Sequence, residues 1–193
     1  MGGAVGASFL PAGKSDSPYL GPGFGGMTTA LIVFVDRLFA SRLAVGGEFS
    51  WAGDISGNQS QRVPGGSNVF LSNHHDDVMS GTVKFSSRRD AAIHAAAVAG
   101  VGLARRHTHR VGQLLRNSPP SAGPAFEETV TSDVPAVSGG VDTVVRLGSR
   151  AGVVITGRLH YLFDDDRQDD GVVERGVSSV IVRVGAGLQF RFR

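Results

Sequence analysis

Cysteine is missing from all 193 residues, which excludes a disulfide framework, a thiolate metal site and a cysteine nucleophile. Long hydrophobic runs are missing too. The longest apolar stretches, residues 29–35 and 95–104, fall well short of the roughly 18–20 residues that a membrane-spanning helix needs. Neither sign of charge is in excess: 19 Lys and Arg stand against 17 Asp and Glu, and a net charge of +2 gives no electrostatic footprint for nucleic acid. The N-terminus, Met1-Gly2-Gly3-Ala4-Val5-Gly6-Ala7-Ser8-Phe9, has no basic segment and no long apolar core, so it does not read as a signal peptide. An exported chain would be expected to have shed its leader, and residues 1–193 read as one domain.

What the sequence does have is glycine, 28 residues of it, set inside apolar segments where it suits close packing in curved sheet. It also has period-two alternation. Near the C-terminus Val180, Val182, Val184, Ala186, Leu188, Phe190 and Phe192 interleave with Ile181, Arg183, Gly185, Gly187, Gln189, Arg191 and Arg193. Before them Val153, Ile155, Gly157, Leu159, Tyr161 and Phe163 alternate with Val154, Thr156, Arg158, His160 and Leu162. A helix cannot segregate such sets. The pattern recurs over residues 137–147, 43–51 and 79–85, and more weakly over 3–10 and 27–36, where both faces of the second are mostly apolar. Residues 91–105 could form an Ala-rich helix capped by Asp90, but Gly100, Gly102 and the surrounding sheet favour a strand. The total is eight strands.

The connections sort by length. Short turns are expected at residues 37–41, 86–90 and 148–150, and long polar loops at 11–26, 52–77, 108–125 and 164–177. Strict alternation gathers the long loops at one end and both termini at the other. An all-β, eight-stranded antiparallel up-and-down barrel, with short periplasmic turns and long extracellular loops, meets that requirement.

Composition decides which stripe points outward. A water-facing stripe would be dense in Lys, Glu and Asp, whereas the polar stripes here are mostly Gly, Ser, Thr and Ala with isolated charges. The aromatic residues form two groups, with Phe9, Phe49, Trp51, Tyr161 and Phe163 toward the long loops and Phe85, Phe190 and Phe192 toward the short turns, as in two interfacial girdles. In this pattern, and in the final Val-Gly-Ala-Gly-Leu-Gln-Phe-Arg-Phe-Arg, the chain resembles the bacterial outer-membrane β-barrel superfamily that includes the transmembrane domain of outer-membrane protein A. The resemblance implies a bacterial outer-membrane location and a structural, surface-exposed or adhesive role. It implies contact with outer-membrane lipid and lipopolysaccharide, and recognition of the C-terminal strand by the barrel-assembly machinery. In the family that strand ends in an aromatic residue; here Phe192 is followed by Arg193. A monomer is expected. The alternatives are a lipid-modifying outer-membrane enzyme and a soluble lipocalin-like barrel with an apolar ligand cavity.

Eight strands close around an interior that side chains can just fill, so no wide pore is expected. Glu48 and Asp142 inside would be desolvated unless paired. An interior polar network of Glu48, Lys84, His94, Asp142, Arg146, Arg158, His160 and Arg183 is therefore expected, and its first role would be structural. No cofactor, metal site or catalytic set is assigned. His74-His75-Asp76-Asp77 carries metal-ligand chemistry, but neighbours on a strand point to opposite faces, and a solvated loop end is the plainer reading. His107 and His109 could share a face; the arginines of Arg105-Arg106-His107-Thr108-His109-Arg110 would favour an anion there. The acidic run at residues 164–170 lacks the glycine and terminal glutamate of a calcium loop. A Ser, His and acid set could be drawn from many positions, among them His160 with Ser138 or Asp142. No nucleophile elbow or phosphate loop accompanies it, and the chain is read as not an enzyme.

Overall fold

A computed structural model describes residues 1–11, 25–63, 66–87, 91–117, 120–163 and 179–191. Within them nine strands follow one another: β1 (Gly2–Leu10), β2 (Gly26–Leu38), β3 (Leu43–Ala52), β4 (Ile55–Val63), β5 (Gly66–Ser86), β6 (Ile93–Asn117), β7 (Pro120–Arg146), β8 (Ala151–Leu162) and β9 (Val180–Phe190). All neighbours pair antiparallel. β3 pairs with β5 and β1 with β9, so eight strands form a closed ring and β4 stands outside it as a branch on β5. Closure removes the free edges that an open sheet would expose. At the seam the Met1 amine also donates to the Phe190 carbonyl at 3.0 Å.

Alternation sets the two faces. Along β6 the residues Ala96, Val98, Ala104 and Arg106 are buried while Ala97, Val101, Leu103 and Arg105 are exposed, so the segment from 91 to 105 is a strand and not a helix. The same holds on β9, where Ile181 and Arg183 are buried and Val184, Leu188 and Phe190 face out. Glycines on the inward row let strands approach closely at the seam. A Cβ on Gly187 would come within 1.9 Å of the Gly3 carbonyl oxygen, and one on Gly6 within 1.8 Å of that of Val184. Only glycine fits there.

Two of the four long connections differ from expectation. The segment 52–77 contains all of β4 and more than half of β5, and 108–125 continues the β6–β7 ladder from Thr108↔Val130 up to Asn117↔Pro120, with one register shift between Gln113 and Leu115. The sheet β4-β5-β6-β7 therefore stands well beyond the ring. There the buried row of β5 and β6 is polar, with Ser72, His74, Asp76, Arg106, Thr108 and Arg110, and the outward row is mixed, so the apolar–polar contrast that marks a strand in sequence fades while the ladder continues. The segments 12–24 and 164–178, with the acidic run at 164–170, lie outside the described residues, as do Phe192 and Arg193.

Candidate functional site

The inward residues form two polar layers with apolar packing around them. In the layer nearer the short turns, Lys84 Nζ lies 3.0 Å from Asp36 Oδ2 and 2.9 Å from Asp142 Oδ2, and 3.8 Å from the centre of the Phe34 ring. Arg158 grips Glu48 through Nε at 3.0 Å and Nη2 at 2.7 Å, and reaches Asp142 Oδ1 through Nη1 at 2.7 Å. The Thr156 hydroxyl donates to the same Asp142 oxygen at 2.8 Å. These charges come from β2, β3, β5, β7 and β8, so the layer reaches across the lumen. Charges this deep persist only because each finds a partner.

The second layer lies toward the long-loop end. Arg106 Nε sits 3.1 Å from Asp76 Oδ1, and His74 bridges Asp76 at 3.0 Å and the Thr108 hydroxyl at 2.9 Å. Arg183 donates to the Ser50 hydroxyl and to the Asp76 carbonyl, with Ser8 at 3.4 Å. Apolar side chains fill the remainder in two clusters, one of Ile32, Phe34, Val144 and Val154 and a larger one that includes Leu10, Ile55, Val78 and Leu162.

The eight residues singled out in the sequence occupy different places. Glu48, Lys84, Asp142 and Arg158 meet in the first layer and Arg183 in the second. His94 is buried near the short turns, with Arg191 Nη2 3.4 Å from its Nε2. Arg146 is half-buried at the end of β7. His160 is fully buried, and among the described residues neither of its ring nitrogens has a hydrogen-bond partner; nor does the Ser138 hydroxyl. No Ser-His relay is therefore assembled, and Asp142 is committed to Lys84, Arg158 and Thr156. Asp36, His74, Asp76 and Arg106 were not assigned to the interior network from the sequence. Asp36 ends a strand with two apolar faces, His74 and Asp76 lie in a stretch read as a loop, and Arg106 follows directly on a strand read as ending at 105. Alternation through 72–76 would have found His74 and Asp76.

A cavity of about 540 Å³ opens at the short-turn mouth, lined among others by Asp36, Lys84, His94, Asp142 and Arg191. It stops at the first charged layer. Among the described residues the interior is crossed by two charged layers and is not an apolar ligand cup, which argues against the soluble lipocalin-like alternative.

The outward face is the reverse. Val101 is 68 % exposed, Met79 65 % and Val141 59 %, and Val5, Val33, Phe49, Ile155 and Leu188 join them in a continuous belt around the ring. The belt covers about 11 residues on β6 (93–103) and on β7 (135–145), the length a tilted strand needs to cross a bilayer. It ends sharply. One step above Met79, Leu103 and Pro135 the outward row turns to Asp77, Arg105 and Asp133, with Arg105 donating to both Asp133 oxygens at 2.8 and 3.0 Å. The Arg105 guanidinium holds the Asp133 carboxyl below its ordinary 3.8. Phe9, Trp51, Tyr161 and Phe163 are exposed near this border, and Phe85 and Phe190 near the other. An apolar belt of this extent on a closed ring faces lipid.

The whole chain aligns with a solved structure of the outer-membrane protein OprG from Pseudomonas aeruginosa at a TM-score of 0.52 and 12% identity, covering 98% of this chain and 95% of that one. This is the fold of the small outer-membrane β-barrels. Looser matches of the barrel are to Ail, the attachment invasion locus protein of Yersinia pestis (TM-score 0.45, 11% identity, 99% and 97% covered), and to Neisserial surface protein A (0.44, 10%, 99% and 96%). No family model and no curated protein matches the sequence. With its lipid-facing belt, this chain is a membrane-spanning barrel of that fold.

Proposed function

We propose that the barrel is a non-conducting, non-enzymatic surface protein, a single domain whose lipid-embedded ring displays the β4–β7 sheet for adhesive contact. The observation that carries this reading is the length of β5, β6 and β7, at 21, 25 and 27 residues, about twice what the belt requires or more. Strands of that length serve no purpose within the bilayer. They raise a sheet above it whose outward face mixes polar residues with exposed Val69, Leu71, Val111 and Leu115, while the charged layer of Glu48, Arg158, Asp142 and Lys84 closes the lumen beneath. The basic run 105–110 does not form one anion site on this sheet. Arg106 and Arg110 point inward, and Arg105 is held by Asp133. Lipopolysaccharide is expected to touch the outward polar row at the top of the belt, and the barrel-assembly machinery the alternating row of β9. Nothing in the ring calls for a second copy, so we take the barrel as a monomer.

Trimming tests the reading. Replacing residues 109–129 by a tight turn shortens β6 and β7 at paired positions and leaves the belt intact. The trimmed barrel should still migrate as a folded, heat-modifiable species, yet cells displaying it should lose adhesion to host cells or matrix. Undiminished adhesion by a folded, trimmed barrel would overturn the assignment.

A further inference from the structure

The four-residue run His74-His75-Asp76-Asp77 lies on β5, where alternation divides it. His74 and Asp76 turn into the barrel, and His75 and Asp77 turn outward onto the raised sheet. His75 is the direct cross-strand partner of His107 on β6, and the two rings lie 4.6 Å apart at a tilt of 31°. Potential ligand atoms of His75, Asp77 and His107 all fall within 4.8 Å of one another. Two imidazoles and a carboxylate thus converge just above the lipid belt.

Their surroundings orient them. Asp54 holds His75 Nδ1 at 2.6 Å and the Thr131 hydroxyl lies 3.2 Å from His107 Nδ1, so each ring has its Nε2 left for another partner. A carboxylate or hydroxyl on the far nitrogen of a ligating histidine fixes its tautomer and its aim. Asp77 Oδ1 is shut off from solvent and has no hydrogen-bond partner, a costly state for a carboxylate oxygen unless a cation completes it. The nearest repulsive charge, Arg105 directly across from Asp77, is neutralised by its two bonds to Asp133.

We propose that His75, Asp77 and His107 form a surface site for a divalent cation of the zinc class. Two nitrogen donors and one oxygen suit that class better than calcium or magnesium, which take oxygen ligands alone. Donors on a tetrahedral zinc stand about 3.4 Å apart, so side-chain rotation of about an ångström closes the set around an ion and leaves the fourth position to water. No thiolate is available, and the half-buried site, on the outward face of the sheet, exchanges its metal with the medium.

The test uses the full chain folded in detergent micelles, with Zn²⁺ alone as titrant and Co²⁺ as spectroscopic probe. One ion per barrel is expected, with Co²⁺ giving the intense visible bands of low coordination. His75→Ala and His107→Ala should each weaken binding at least tenfold, and Asp54→Asn about tenfold through the lost orientation. His109→Ala removes the neighbouring outward histidine, which is engaged by Glu127 at 3.1 Å, and should change nothing. Heat-modifiable migration confirms that each variant is folded. No saturable uptake, or uptake that survives loss of both His75 and His107, or that falls equally in His109→Ala, would overturn the site.

Discussion

Glu48 shows what a single inward charge does in this barrel. Its carboxylate takes two nitrogens of Arg158, so Glu48→Ala leaves a fully buried guanidinium with Asp142 as its remaining acid. Breaking a buried pair in this way costs about 3–5 kcal/mol. Glu48→Gln, which keeps an acceptor, should cost less. Urea unfolding of barrels refolded into lipid vesicles measures both, and an unchanged midpoint for Glu48→Ala would contradict the pairing. At this scale sequence and structure meet wherever a charge interrupts a stripe of small residues. Glu48, Lys84, Asp142, Arg158 and Arg183 stand among Gly, Ser, Thr and Ala and all face inward. Asp36 follows Ile32 and Phe34, whose inward stripe packs into an apolar cluster, so nothing in its own strand distinguishes inside from outside. His160 is a different case. It shares the stripe of Arg158, but its lack of a hydrogen-bond partner depends on side chains from other strands, which no local pattern contains.

Strand identity was legible wherever one face meets lipid and the other the packed interior, as in β8 and β9. It was lost where the inward row turns polar and the outward row is mixed. Residues 67–77 and 106–117 continue β5 and β6 without a break, but their buried row carries Ser72, His74, Asp76, Arg106, Thr108 and Arg110 while the outward row mixes Val69, Leu71, Val111 and Leu115 with His75, His107 and His109, so neither face reads as an apolar stripe. The additional strand, β4, pairs with this stretch of β5. The alternating row of β9 carries a prediction of its own, because its inward glycines set the distance to β1 at the seam. Gly187→Val places a side chain where the Gly3 carbonyl and the Ala4 Cα already sit. The variant should lose about 1–3 kcal/mol and show a lower urea midpoint and a lower temperature of heat modification. A Gly187→Val barrel as stable as the parent would mean that the seam is looser than described.

For the whole molecule, closure and membrane residence follow from one fact, the outward direction of the apolar stripe. Around the belt each ring strand is paired on both sides, the belt of Val5, Val33, Val101, Val141 and Leu188 meets lipid, and two charged layers cross the lumen. The raised sheet and its histidine pair then lie outside the bilayer, where contact and metal exchange are open to them. Because the chain has no cysteine, single spin-labelled cysteines can be placed one at a time along β7 without background. The decisive measurement is the accessibility of labels at positions 136–145, in lipid vesicles, to oxygen and to a water-soluble relaxation agent. Oxygen contact should peak at 137, 139, 141, 143 and 145 and fall at 138, 140, 142 and 144, with the water-soluble agent excluded from the odd positions. The opposite phase, or free access of the aqueous agent to position 141, would contradict a lipid-facing belt.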